Sequence, residues 1–361
     1  MTILDEGTLH ISSKAAVKYK VEVNVEELVP GMEIAENIFN DWGAIIIAEN
    51  SILDHSLIKG LNMLGIKRIK TYRKAYDVWD RSFEEFKIRY TQNLILIREV
   101  IQDLYTGKPL DMGKINAITR SINEKNYEGI DILKFIGEGR VADEYIYTHC
   151  INVAMLSMLI ARWLRLGEEE TEEVEKAGLL HDIGKSRIAP SIVNKPGPLL
   201  PHEFEEIKKH PAYGYEILKG VEGLPDEICR GVLMHHERED GSGYPAALKR
   251  ESISEYARII AVADIYDAMT SDRTYLRKQS PFSAFEYLES VSLKELDTRI
   301  TEVFLENAPS FYVGEKFFLN SGEICEIVFI DPKKPSKPLI KIGERYVDLS
   351  RDRSLFIERM I

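Results

Sequence analysis

The chain's 361 residues allow two or three domains, and an apolar share of 44% supplies a packed core and excludes an intrinsically disordered chain. Lys and Arg number 47 against 59 Asp and Glu, and the resulting net charge of −12 argues against sequence-independent binding to nucleic acid. The three cysteines (Cys150, Cys229, Cys325) lack paired spacing, no apolar run reaches membrane-spanning length, and the N-terminus has no signal-peptide core, so the expectation is a cytoplasmic protein without disulfides or a zinc knuckle.

Residues 1–16 show no periodicity. From Lys18 to about Tyr76 the texture is strand-like: Tyr19, Val21, Val23 and Val25 alternate with polar residues, Pro30-Gly31 marks a turn, and Ala44–Ile47 reads as a buried strand. A short helix follows over Ser56–Leu64, ended at Gly65, and Ile66–Tyr72 alternates again. From about Arg81 to Tyr105 the spacing predicts a helix, stopped by Gly107 and Pro109. That helix serves as a linker, as a dimerisation element, or packs on its own domain. Helical segments continue over Asn116–Ser121 and Ile130–Ile136.

A long helix is expected from about Asp143 to Leu166, and another from Glu169 to His181, whose acidic first turn suits the helix dipole. Four prolines over 186–203 predict a rigid loop. Pro211 and Pro225 open helices, the second ending at His235-His236. Helices follow over Ser254–Met269 and Phe282–Leu288, with one more ending near Leu305. From Gly314 the texture returns to strands, at Phe317–Leu319, Ile324–Ile330 and Leu339–Ile342. The fold class is therefore mainly α, with a β-rich domain at 1–78, a helical lead-in at 79–140, a helical core at 141–310 and a β appendage at 311–361.

Five of the eight histidines, His149, His181, His210, His235 and His236, fall in the helical core; His10, His55 and His202 lie outside the pattern. Ile228, Val232, His235 and His236 are spaced so that both imidazoles continue an apolar, inward helix face. Asp264 sits in an apolar run, where a carboxylate is costly unless paired or bound to a cation. His181 and Lys185 share a face if their helix continues that far. Imidazole nitrogens with carboxylate oxygens suit iron, manganese or zinc. Asp182 can bridge two ions about 3.5–4 Å apart, and such a cluster would offset the acidic surface for an anionic substrate.

These residues resemble the HD-GYP family of HD-domain metal-dependent phosphohydrolases. The likeness rests on Thr148-His149, His181-Asp182-Ile183-Gly184-Lys185, Lys209-His210-Pro211, the run from His235-His236-Glu237 through Gly241-Ser242-Gly243-Tyr244-Pro245, and Ala263-Asp264 through Asp272-Arg273. It covers about residues 140–310. It implies an all-helical HD core and a phosphodiesterase that hydrolyses cyclic di-GMP to pGpG, and on to GMP in some cases, by a hydroxide bridging two divalent ions, Fe or Mn. His149, His181, Asp182 and Asp264 match the ligands of one ion, and Asp182, His210, His235 and His236 those of the other. Asp182 and Lys185 carry the catalysis. Lys185, Tyr244, Asp267, Arg273, Arg277 and Lys278 are expected at the substrate. Where some members carry a glutamate and a third metal, this chain has Tyr145, so two ions are expected. The family's Asp-Arg-Pro-Tyr segment reads Asp272-Arg273-Thr274-Tyr275-Leu276 here, which moves the second basic contact to Arg277 or Lys278. Val29–Tyr72 looks like a module found ahead of some HD-GYP domains. A homodimer and a diguanylate cyclase or other signalling protein are the partner expectations. The rival readings are an HD phosphohydrolase of another nucleotide or cyclic dinucleotide, a weakly active or inactive receptor that binds the messenger, and a purely structural helical domain.

Overall fold

Alternating apolar residues build the first sheet. The computed structural model describes residues 18–25, 28, 32–39, 45–123, 132–133, 135–136, 145–272 and 278–361. Strand β1 (Lys18–Asn24) pairs antiparallel with β5 (Arg68–Lys74) in a register that sets Val23 against Ile69, and β2 (Glu33–Ile34) takes the other edge of β5. A small ladder, β3 (Ile38–Phe39) with β4 (Ile45–Ile47), stands beside it in the sequence. Val23, Val25, Ile34, Leu53, Leu61 and Ile69 form the core of this part. Helix α1 (His55–Met63) starts where the Asp54 side chain accepts the Leu57 amide hydrogen, and the chain leaves it at Gly65, whose φ of +70° suits a residue without Cβ. The expectations for residues 1–16 and for the Pro30-Gly31 turn fall outside the described residues.

Helix α2 (Ala75–Tyr105) follows β5 directly and so starts before the expected Arg81. Two compact units divide within it, between Arg89 and Tyr90. In the second unit, α3 (Met112–Asn123) is followed by α4 (Tyr145–Trp163), which is buried on every side from Thr148 to Ala161. A helix apolar all round must be enclosed. Helix α5 (Glu168–Leu180) and, further along, α10 (Glu255–Thr270) pack on it. Gly178 permits the close approach of α5, because a Cβ there would lie 3.1 Å from the Val153 carbonyl oxygen. Cys150 and Cys229 are buried free thiols, as expected of small core residues.

The segment expected to be a rigid loop holds two short helices, α6 (Pro190–Val193) and α7 (Pro201–Ile207). Each begins with its proline, a position where the missing N–H costs nothing. Helices α8 (His210–Lys219) and α9 (Asp226–Met234) precede α10, and α11 (Pro281–Val291) and α12 (Thr298–Asn307) close the helical part. A five-stranded antiparallel sheet ends the chain, in the order β10-β6-β7-β8-β9. It comprises β6 (Lys316–Leu319), β7 (Ile324–Phe329), β8 (Leu339–Ile342), β9 (Arg345–Asp348) and β10 (Ile357–Met360). An aromatic cluster joins it to the helices: Phe317 packs edge-on to Phe282 at 5.5 Å, and the Tyr266 and Tyr312 hydroxyls bond at 2.8 Å. The chain is thus mainly α, with small sheets at both ends. No described helix is long and apolar enough to cross a membrane.

Candidate metal centre

A helix leaves its last carbonyls without intrahelical partners. Three histidines use that vacancy. His181 directly follows α5 and donates from Nδ1–H to the Gly178 carbonyl at 2.7 Å. His235 directly follows α9 and donates to the Val232 carbonyl at 2.7 Å. His210 donates to the carbonyl of Ile207, the last residue of α7, at 2.8 Å. A carbonyl only accepts, so each bond fixes the proton on Nδ1 and leaves Nε2 as a bare lone pair. His149, one turn into α4, has its Nδ1 engaged by another route: the Nδ1–H donates to the Asp267 carboxylate at 2.7 Å, and Nε2 is left to face the other groups.

Those lone pairs face one another. His181 Nε2 lies 3.3 Å from His149 Nε2, and His210 Nε2 lies 3.2 Å from His235 Nε2. Carboxylates fill the gaps. Asp264 Oδ1 is 3.1 Å from His149 Nε2, and Asp182 Oδ2 is 3.4 Å from His181 Nε2. Asp182 Oδ1 is 3.2 Å from His210 Nε2, yet this fully buried oxygen accepts no hydrogen bond. Lone pair against lone pair at such distances is repulsive, and a cation between them turns every contact attractive. The donor set therefore fits a bound metal. Two groups of three, His149–His181–Asp182 and His210–His235–His236, each bring their ligand atoms within 4.8 Å of one another.

Local sequence explains how the groups meet. Helix α5 ends at Leu180, not beyond it. Asp182, at φ −100° and ψ 2°, turns into a short 3-10 segment over Ile183–Arg187, so Lys185 does not share a continuous helix face with His181. Instead its Nζ reaches Asp182 Oδ2 at 2.6 Å. The backbone of α8 lies directly on this turn, and a Cβ at Gly184 would stand 1.9 Å from the His210 carbonyl oxygen. Asp264 comes from α10, one turn before Asp267. The His236 Nδ1 is 3.9 Å from Asp264 Oδ2, which links the two groups.

The electrostatics follow from burial and neighbours. Burial pushes His210, His235 and His236 below the ordinary imidazole range, so they stand neutral and ready to ligate. Burial also pushes Asp182 up, but Lys185 and His181 outweigh it and hold the carboxyl well below its usual range. Asp264 is opposed by burial too and held low by His149 and His236. Burial lowers His149, while the bonds from Asp264 and Asp267 raise it further, to about 9. Two carboxylates there demand a positive charge, which a proton meets or a divalent cation displaces.

The Gly241–Pro245 loop covers one side. The Tyr244 ring packs 4.7 Å from His236 and 6.5 Å from His210. Buried Glu237 anchors the loop by accepting the amide hydrogens of Ala246 at 2.7 Å and Leu248 at 2.9 Å. Gly243 has no space for a Cβ, which would lie 2.5 Å from the His236 carbonyl oxygen. On the other side the Tyr145 ring stacks on His149 with centroids 5.3 Å apart.

One expectation is overturned. Asp267 is not open to a substrate: it is fully buried, and its oxygens accept from His149, from Asn152 Nδ2 at 2.5 Å and from Ser271 Oγ at 3.0 Å. It orients His149 instead. Arg273, Leu276 and Arg277 lie outside the described residues. The Lys278 amide donates to the Asp272 side chain at 3.2 Å. The sequence alone assigned no role to Glu237 or Asn152; the available signal for Asn152 was a polar residue in a largely apolar helix, three positions after His149 on the same face.

Residues 135–300 match the HD domain family. A cyclic di-GMP phosphodiesterase of Pseudomonas aeruginosa is 32% identical over 67% of this chain and 58% of its own length. A cyclic di-GMP phosphodiesterase response regulator of Xanthomonas campestris pv. campestris is 41% identical over 41% of this chain and 39% of its own. A 3'3'-cGAMP-specific phosphodiesterase of Vibrio cholerae is 34% identical over 47% of this chain and 39% of its own. The chain thus spans about half the length of the relatives it matches.

Proposed function

We propose, from the match of residues 135–300 to the HD domain family and from the motifs that resemble the HD-GYP branch, that the chain is a metal-dependent phosphodiesterase that hydrolyses cyclic di-GMP to pGpG. The observation that carries the reading is the convergence of four imidazole Nε2 atoms, each with its Nδ1 engaged as a donor elsewhere, and two buried carboxylates. His149, His181, Asp182 and Asp264 would hold one ion, and Asp182, His210, His235 and His236 the other. Mixed nitrogen and oxygen donors suit Fe or Mn. Bound there, the ions supply Lewis acidity and a water acidic enough to attack phosphorus at neutral pH.

The chain's own residues do the rest. Asp182, with one oxygen toward His181 and the other toward His210, would be a ligand common to both ions. Lys185, a quarter exposed beside it, is placed to neutralise charge on the phosphoryl oxygens. Tyr244, held by the loop that Glu237 anchors, offers an aromatic wall to the dinucleotide. The relatives named for cyclic di-GMP support the substrate class. The Vibrio relative named for 3'3'-cGAMP supports a second reading, in which the same chemistry acts on that hybrid dinucleotide.

Product chromatography with each cyclic dinucleotide separately, in metal-replete buffer, tests both readings. Release of pGpG from cyclic di-GMP by the wild type, and none by Asp182→Ala, is expected. Wild-type turnover by Asp182→Ala, or tight binding with no product, would overturn the proposal. Preference for 3'3'-cGAMP would select the second reading.

A further inference from the structure

Asn152 sits in the middle of α4, buried on every side, and takes no part in the chemistry above. A buried amide is costly unless its groups are bonded. Its Nδ2 donates to Asp267 Oδ1 at 2.5 Å, and its Oδ1 accepts from the Tyr90 hydroxyl at 3.0 Å. The other Asp267 oxygen holds His149 Nδ1 at 2.7 Å. Tyr90, Asn152, Asp267 and His149 are all buried. A chain of hydrogen bonds therefore runs from α2 to the first group of ligands.

Each link has one allowed sense. A carboxylate only accepts, so Asn152 must present its nitrogen to Asp267 and its oxygen to Tyr90. A flipped amide would set oxygen against oxygen at Asp267 and exchange the 3.0 Å acceptor of the Tyr90 hydroxyl for the longer bond to the Thr148 carbonyl at 3.4 Å. Tyr90 thus locks the amide, the amide holds the carboxylate rotamer, and the carboxylate keeps the His149 proton on Nδ1. If that proton moves to Nε2, the lone pair that would bind an ion is gone.

We propose that Tyr90 and Asn152 are positioning residues for the ion held at His149, acting through Asp267. The proposal rests on the metal-centre reading and deepens it. Ser271 Oγ, which donates to the same Asp267 oxygen at 3.0 Å, supports the rotamer without fixing the amide.

The test is a calorimetric titration of metal-free protein with Mn²⁺, alongside thermal unfolding of the same samples. Wild type should bind two ions. Asn152→Leu should weaken one binding step about 10- to 100-fold and leave the other unchanged. Tyr90→Phe, which removes one oxygen atom and keeps the ring packing, should weaken the same step by less. The double variant should be no weaker than Asn152→Leu alone, because the tyrosine acts through the amide. Wild-type binding by Tyr90→Phe, by a folded Asn152→Leu, or losses that add in the double variant, would overturn the proposal. Should wild type take up no Mn²⁺, or His149→Ala leave both steps intact, the metal-centre reading itself fails, and the two failures are distinct.

Discussion

Gly184→Ala offers a sharp test of how the centre is built. The added Cβ would stand 1.9 Å from the His210 carbonyl oxygen and 2.4 Å from the Gly214 amide nitrogen, both backbone atoms that cannot swing away. Ordinary contact begins at 3.4 Å, so α8 must retreat by about 1.5 Å. His210 stands at the start of α8 and retreats with it, widening a gap to Asp182 that is now 3.2 Å. Overpacking of this kind costs about 1–3 kcal/mol, and ligand misplacement of about 1 Å can cost on the order of 100-fold in turnover. The assay is metal content per chain together with turnover at saturating Mn²⁺. We expect loss of one ion and about 100-fold slower hydrolysis in a protein that still folds. Gly220→Ala is the control: it follows the far end of the same helix, and its Cβ would meet only the Ile217 carbonyl oxygen at 3.5 Å, an ordinary contact, so it should keep both ions. Full metal content and wild-type turnover in Gly184→Ala would refute the packing argument.

Asp267→Asn should weaken one ion about 10- to 100-fold in a metal titration, because its amide cannot accept from both His149 and Asn152. Glu237→Gln turns one acceptor into a donor facing a backbone N–H and should cost about 1–3 kcal/mol; steady-state kinetics should show a raised KM with metal content unchanged. Glu175 is fully buried and its pKa is raised by that burial, while Asn123 bonds one of its oxygens. The folded state therefore binds its proton more tightly than the unfolded chain does, and stability falls as pH rises above the ordinary glutamate range. Glu175→Gln should raise the unfolding temperature at pH 7–8 and give no advantage at pH 4 (about the unfolded carboxyl value); equal gain at both would contradict this.

Helix starts and the histidines and aspartates that converge were legible because they carry local signals. Prolines, acidic first turns and apolar periodicity marked α5, α9, α10 and α11. The seven expected ligand residues lie together because each sits at a helix end or on an inward face. Proline misled at 190 and 201, where it opens helices α6 and α7 inside a stretch that reads as loop. Strands β9 and β10 escaped notice because Arg345–Asp348 and Ile357–Met360 are short and charged. The part played by Asp267 was beyond reach of spacing alone: it sits one turn from Asp264, and only the packing of α4 against α10 decides which carboxylate turns toward the ions and which toward a histidine's far side. The part played by Tyr90 gave no signal, since its hydroxyl bonds Thr148 and Asn152, 58 and 62 residues away.

The central claim is that histidine lone pairs and carboxylates from separate helices converge on a pair of cations. Elemental analysis of protein purified without oxygen, expressed per chain, tests it most directly. Two equivalents of Fe or Mn, falling to at most one in His235→Ala, are predicted. A chain that takes up no transition metal, and whose content is indifferent to His235→Ala, would contradict the account.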